Sequence, residues 1–572
     1  MAEKQSNSSH LPKITITDHS HIYHDYKADN LPPQRENSPT PCEESSGVQP
    51  LNPTQFQKAD SIYFQRCAGC HGSHRQGAIG PSLNSRTIHV KGEAAIKEKI
   101  IHGSTKGMPA FGDSGELPTA DVDLITRYLF HEPSSPPAFG MAEAKQSWKN
   151  RVKVAHRPVH QENKLDLENM FTVTLRDTGE IALIDGESKK IVTIIKVGFS
   201  LHTTRISGSG RYLYACSRNG TISLIDLFMK TPSLVSTVRV GWEAGSFETS
   251  KFHGYADKLA IAGVHAPNHY VLLQGETLEP LRIESICGMT HQSAQFHPHP
   301  QIASIASSHY YPEFILTVKE TGKLILTDYS NLLSLKTKHI QVTSLLHKGG
   351  FDHSKRYFLV SANDTNEVAI IDVVEGRVEK VVPVGEQPHS GRGANFWHPK
   401  HGHVWATACL NDAQIFVIST EAKRLGVKER FGVVARLNGL EPGLFNLRAH
   451  PKSDHLYADY ALSTDGTMSQ CIAVFTISEM EQSKSNAACQ PRLLPIAQWA
   501  GLSETDANRV VDPVFNRKGD EVWISVWNPK DAQSAIVVVD DKTLTLKQVI
   551  KDPRLVTPTA KFNGYNTMHD IY

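Results

Sequence analysis

The most constraining feature of this chain is a strand unit that recurs from about residue 165 to the end. Each unit reads as a β-branched strand, a polar turn, a second strand ending in Asp or Thr, and a third strand. Examples are 171–198 with Ile181-Ala-Leu-Ile-Asp185, 212–241 with Ile222-Ser-Leu-Ile-Asp226, 259–285 with Tyr270-Val-Leu-Leu, and 314–340 with Leu324-Ile-Leu-Thr-Asp328. Four more lie at 358–385, 404–420, 456–478 and 522–551. Eight units at a period of roughly 40 to 60 residues fit a closed ring of four-stranded blades, a β-propeller, whose radial closure leaves only short edges. Stacked β-sandwiches would need no such repetition.

Ahead of the repeat the period is helical. Asn52 can cap and Pro53 suits a first helical position, while Phe56, Ala59, Ile62 and Tyr63 recur at helical spacing. That helix runs into Cys67-Ala-Gly-Cys70-His71, a C-x-x-C-H sequence in which two thiols reach the vinyl groups of one haem and the next His points at the iron. Helical stretches at 93–101 and 119–130 follow, so the segment is expected to be a small all-α class I cytochrome c domain carrying one covalent haem c. Its second axial ligand is expected at Met108, where Gly107 and Pro109 build a rigid turn better suited to a ligand loop than to a core helix. A His/Met pair raises the reduction potential and suits electron transfer. The expected organisation is a flexible arm at 1–50, a cytochrome c domain at 51–135, a linker at 136–165 opened by Glu132-Pro-Ser-Ser-Pro-Pro, and an all-β eight-bladed propeller at 166–572.

Composition excludes several classes. With 60 Lys+Arg against 59 Asp+Glu there is no basic excess for nucleic acid or anionic membrane. No apolar run approaches the roughly 20 residues of a membrane span. Eight Cys in 572 residues are too sparse for a disulfide scaffold. The opening Met1-Ala-Glu-Lys shows no apolar signal region, yet covalent haem attachment normally occurs outside the cytoplasm, so a periplasmic location is expected. The arm holds His19 and Tyr26, candidate haem-iron ligands against the alternative of solvated residues.

Three propeller histidines stand apart: His202 in Val197-Gly-Phe-Ser-Leu-His-Thr-Thr-Arg205, His347 in Leu345-Leu-His-Lys-Gly-Gly350, and His389 in Gln387-Pro-His-Ser-Gly-Arg-Gly393. Each lies just ahead of an outer-strand unit, where blade-connecting segments can line a central channel. With Arg205, Arg218 and Arg392 they describe a cationic pocket, and guanidinium forks bind carboxylates bidentately, so a multi-carboxylate cofactor or an anionic substrate is implied.

The stretches Ile62-Tyr-Phe-Gln-Arg-Cys-Ala-Gly-Cys-His71, Phe171-Thr-Val-Thr-Leu-Arg-Asp177, Ser209-Gly-Arg-Tyr-Leu213, Gly275-Glu-Thr-Leu-Glu-Pro280, Gly391-Arg-Gly-Ala-Asn-Phe396, Leu494-Pro-Ile-Ala-Gln-Trp499 and Val556-Thr-Pro-Thr559 stand in the order found in one family. From Cys67 to Tyr572 the chain resembles cytochrome cd1 nitrite reductases. The resemblance implies that haem c feeds a propeller-held haem d1, a carboxylate-rich macrocycle. It makes His202 the proximal iron ligand, Arg205, Arg218, Arg392 and Thr559 d1-contacting residues, and His347 and His389 the two distal histidines that protonate nitrite. Nitrite is then the substrate, nitric oxide the product, a small cytochrome c or cupredoxin the electron donor, and a homodimer the expected assembly.

At the cofactor's periphery the chain departs from this pattern. His265 stands for a Tyr, Cys287 for an Arg, Cys409 for a His, Asp512 for a Gln, Ala560 for a Gly and Lys348 for an Asp. An Asp against an anionic macrocycle is repelled unless protonated or paired. Two other functions share the architecture: a dehydrogenase acting on a d1 precursor, and a non-catalytic d1 carrier or electron-transfer protein. Retention of both His347 and His389 argues for the reductase.

Overall fold

Asn52 starts the first helix, Pro53–Ile62, by accepting from the Gln55 amide, and Gln55 returns the bond to the Asn52 amide. The helix continues through a π-helical turn, Tyr63–Cys67, into the short helix Ala68–His71. Helices Ser85–Lys91, Glu93–His102 and Thr119–Leu129 follow, and Ala59, Tyr63, Ile88, Ile100, Ile125 and Tyr128 close one core. Arg75 is buried here beneath Tyr128 and donates to the carbonyls of Tyr128, Leu129 and His131, which satisfies the end of the last helix.

The computed structural model describes residues 48–572 except 76, 78–79, 105–107, 133–137, 344, 422–429, 482–489, 503–507 and 529–532. His19 and Tyr26 of the arm and Gly107 of the expected ligand turn lie outside the described residues.

Eight antiparallel sheets follow as blades. Blade 1 joins Met170–Leu175, Glu180–Asp185 and Ile191–Lys196 to Pro558–Asn563, so the last strand of the chain becomes the innermost strand of the first blade and closes the ring. The inner strands of blades 2 to 8 are Leu201–Ile206, Glu243–Thr249, Ile302–Ser307, Leu346–Phe351, Pro388–His398, Leu447–Arg448 and Arg509–Phe515. The second strands are packed between neighbouring blades and are buried along nearly their whole length, completely so in Tyr212–Ser217 and Tyr357–Ala362. Outermost strands such as Lys336–Gln341 are exposed at nearly every residue. This gradient explains why the middle strands read as apolar runs.

The recurring Asp at the third strand's end has a structural task. Asp226 accepts the Phe228 amide and pairs with Arg211, and Asp372 likewise accepts the Val374 and Glu375 amides and pairs with Arg356. A carboxylate at that place ties the next turn to the strand before it. The stretch expected to be a linker contains helix Met141–Ser147 and a two-residue strand, Lys149–Asn150, that adds a fifth strand to blade 2.

Candidate active site

The three singled-out histidines sit in the innermost strands themselves, not in segments ahead of the outer strands, and they sit where those strands bulge. The pairing of Leu201 with Ser217 and of Thr203 with Cys216 leaves His202 extra. The same irregularity leaves Gly245, Ala303, His347 with Lys348, the stretch 390–393 containing Arg392, Asp512 with Pro513, and Thr559 outside the ladder. Seven of the eight inner strands bulge in this way, blade 7 with its two-residue strand being the exception. A bulge frees one residue from the alternation of faces and aims it into the channel. Ser200, Leu345, Gln387 and Thr557, each two residues before His202, His347, His389 and Thr559, have positive φ of 45–55°. This repeated left-handed residue turns the chain into the bulge, and its cost, carried by non-glycine side chains, is met by the surrounding sheet.

The inner strands enclose a cavity of about 450 Å³ lined by His202, Arg205, Arg218, Lys348, Arg392 and Thr559 among others. Arg448 and Lys561, which the sequence reading passed over, also line it. Asp512 is the one acidic side chain on the wall among the described residues, and it is paired: Arg448 donates to it at 3.1 Å, and the Lys561 amide at 2.6 Å. Arg205 and Arg392 share Glu248, each at 3.2 Å, and Arg218 pairs with Glu243. Burial pushes Glu248 up, but Lys251, Arg205 and Arg392 outweigh it and hold the carboxyl below its ordinary range. With Lys348, Arg66 and Arg176 also on the wall, the cations outnumber the carboxylates they meet and leave the wall positive, which suits a flat, carboxylate-rich group. Burial and the surrounding Arg205, Arg392, Arg218 and Arg448 push Lys348 down to about 8.

His347 and His389 are brought together, ring centroids 4.9 Å apart, and the His389 ring stacks on the cavity residue Phe445 at 4.3 Å. Both are buried and neither is itself on the cavity surface; Lys348 and Phe445 are. Nδ1 of His347 and both ring nitrogens of His389 are buried without a hydrogen-bond partner within 3.5 Å. Burial first, then Lys348, pushes His389 down to about 3, and burial, His389 and Lys348 hold His347 well below its ordinary value. His202 is likewise held low by burial and by Arg218 and Lys348.

The substituted periphery divides in two. His265 packs against Gly245, where an added Cβ would lie 2.1 Å from its ring, and faces Ile302 O and Glu243. Ala560 lines the cavity beside Thr559. Cys287 and Cys409 are not among the lining residues: Cys287 is exposed and donates to Pro298 O, and Cys409 is buried in the strand behind Pro388.

The cytochrome domain docks on this cavity. Phe64, Gly69 and Cys70 form part of its wall, Arg218 donates to Ala68 O, and the Ser73 amide donates to Glu243. Cys67 and Cys70 are unbridged thiols. His71 Nδ1 donates to Pro81 O at 2.7 Å, which leaves the lone pair on Nε2 for iron, and Gly80 lies so close that a Cβ there would be 2.8 Å from the ring. Met108 packs against the domain's core and forms an isolated bridge with Ser104. The thiols, the oriented imidazole and the thioether fit haem c, and the bulge-lined cationic cavity fits haem d1.

Known proteins match along nearly the whole chain. The family described as Cytochrome D1 heme domain matches residues 165–567, and that described as Cytochrome C oxidase, cbb3-type, subunit III matches residues 54–129. A nitrite reductase of Stutzerimonas stutzeri is 41% identical over 535 residues, covering 90% of this chain and 94% of that protein. A dihydro-heme d1 dehydrogenase of Pseudomonas aeruginosa is 24% identical over 509 residues, covering 89% and 93%. A solved dihydro-heme d1 dehydrogenase superposes with a TM-score of 0.64 at 22% identity, covering 89% of this chain and 99% of that one, which supports the fold alone. The cofactors are therefore haem c and haem d1, with iron as the metal. A haem c domain docked on a bulge-lined, cationic d1 cavity, matched over nine-tenths of its length, places the chain in the cytochrome cd1 nitrite reductase family.

Proposed function

We propose that the protein is a respiratory nitrite reductase that converts nitrite, one electron and two protons into nitric oxide and water. The observation that carries this reading is the buried His347–His389 pair beside a positive cavity, with no competing hydrogen bond at three of its ring nitrogens. His202 would hold the d1 iron, Arg205, Arg218, Arg392 and Thr559 its periphery, and Cys67, Cys70, His71 and Met108 haem c. When bound, haem d1 supplies the iron for nitrite and haem c the electron.

The chain's own residues manage charge and protons. The cationic wall draws in the anion. Before it arrives the two distal imidazoles are neutral, held so by burial and Lys348. A bound anion nearby favours their charged form, so proton uptake follows substrate binding. Two imidazolium N–H groups then deliver the two protons to the oxygen that leaves as water.

The electron donor is a small cytochrome c or cupredoxin, the assembly a homodimer, and the compartment the periplasm, as covalent haem attachment favours. No helix among the described residues is long and apolar enough to cross a membrane. The test is His347→Ala and His389→Ala in the d1-loaded protein. Each is expected to lower nitrite turnover by about 10²-fold or more while the d1 absorption persists. Unimpaired turnover would sink the proton-donor assignment, and oxidation of a d1 precursor without nitrite turnover would favour the dehydrogenase reading.

A further inference from the structure

On the propeller face opposite the cytochrome domain, where the inner strands end, blades 5 and 6 bring three ligand-type side chains together. His353 follows the inner strand Leu346–Phe351, His403 begins the second strand Gly402–Cys409 of blade 6, and Glu421 follows that blade's third strand, Gln414–Ser419. Their donor atoms all lie within 4.8 Å of one another. The two imidazoles are parallel, centroids 3.6 Å apart and planes 6° apart, and His403 Nε2 is 3.9 Å from Glu421 Oε1. The positions are far apart in sequence, and no motif spacing announces them.

The surroundings resemble a built site. Asp352, fully buried, holds Oδ2 3.6 Å from His353 Nδ1 and is itself fixed by Ser354 Oγ and the Tyr357 amide. A polar partner at Nδ1, here Thr420 Oγ1 at 3.4 Å with the Asp352 carboxylate nearby, leaves the other ring nitrogen as ligand. Thr420 sits beside His353 Nδ1, a contact between the two blades, and donates its hydroxyl to His403 O within blade 6, while the Trp397 and His403 rings meet nearly at right angles with centroids 4.8 Å apart.

We infer that His353, His403 and Glu421 bind one divalent transition-metal ion, zinc by preference, bridging blades 5 and 6. Two imidazole nitrogens and one carboxylate oxygen are a zinc donor set, with the fourth position left to water. A tetrahedral ion with bonds of about 2.0–2.1 Å places its ligand atoms about 3.3 Å apart. Closing from the observed separations needs rotations of side chains that are a quarter to a third exposed and can turn. The site is separate from both haems and is independent of the nitrite reading.

The test is zinc titration of the full-length, haem-loaded protein after chelator dialysis, by calorimetry and metal analysis. Wild type is compared with the His353→Ala/His403→Ala double variant and with Glu421→Gln. The arm's His10, His19, His21 and His24 are retained in all three, so their zinc cancels in the comparison. The expected result is one more zinc equivalent in wild type than in the double variant, at least tenfold weaker binding in Glu421→Gln, and a zinc-dependent rise in thermal midpoint confined to wild type. Equal stoichiometry and affinity across wild type and Glu421→Gln would overturn the site. Because Glu421→Gln is nearly isosteric, it decides the question even where the double variant does not fold.

Discussion

Lys348 concentrates the electrostatics of the cavity in one residue. It follows His347, lines the cavity, and lowers the proton affinity of His347, His389 and His202 at once. Removing its charge should raise the distal pair's pKa values. The protonated donors then persist to higher pH, so Lys348→Met is expected to move the alkaline limb of the nitrite pH–rate profile upward by about one pH unit. Lys348→Arg, which keeps the charge, should leave the limb in place. A limb that stays put in Lys348→Met would deny the lysine this role. Two of the other substitutions are compensated locally, since Asp512 has Arg448 and Lys561, and His265 has Glu243. That compensation was illegible in the sequence, where Asp512 stands 64 residues from Arg448 and 49 from Lys561.

At the scale of elements, legibility followed burial. The second and third strands, such as Ile181-Ala-Leu-Ile-Asp185, are packed on both faces and announce themselves as apolar runs. The inner strands do not: Leu201–Ile206 reads Leu-His-Thr-Thr-Arg-Ile, and its bulge at His202 breaks the alternation a strand search relies on. Nor do Ser200, Leu345, Gln387 and Thr557 hint at left-handed backbone, because such residues disfavour it and only the closed ring imposes it. Arg448 and Lys561 were open to discovery as charges inside strand-like segments. Ring closure itself depends on the seam of blades 1 and 8, where Phe171 stacks on Trp523 at 3.9 Å with planes 10° apart, both fully buried. Phe171→Ala is expected to cost about 3–5 kcal/mol, read as a lower denaturant midpoint for the propeller. A midpoint unchanged from wild type would mean the seam is not held by this pair.

Across the whole molecule, a cluster of ion pairs joins the cytochrome domain to the propeller, beside the Phe64–Phe199 ring contact. Arg66 forms a bidentate pair with Asp177 at 2.9 and 3.1 Å and reaches Glu116 at 3.0 Å, while Arg176 joins both carboxylates. Burial pushes Asp177 up, but Arg176 and Arg66 outweigh it and hold the carboxyl well below the usual range. Asp177 also accepts from Thr557 Oγ1, the left-handed residue that leads into Thr559, so one carboxylate touches both the docked domain and the segment that carries Thr559 to the cavity wall. Asp177→Asn should weaken this junction by about 1.5–3 kcal/mol and slow electron passage from haem c to haem d1 in rapid-mixing traces. Unchanged electron transfer would place the coupling elsewhere, in the Arg218 contact to Ala68 O.

The most direct measurement of the central claim is nitric oxide release from the wild-type, haem c- and d1-loaded protein, reduced anaerobically and given nitrite, with an electrode reading and an optical spectrum taken together. The account predicts many nitric oxide molecules per protein, with haem c and the separate d1 absorption in the red both present. A protein that carries both haems, accepts electrons and releases no nitric oxide would contradict it.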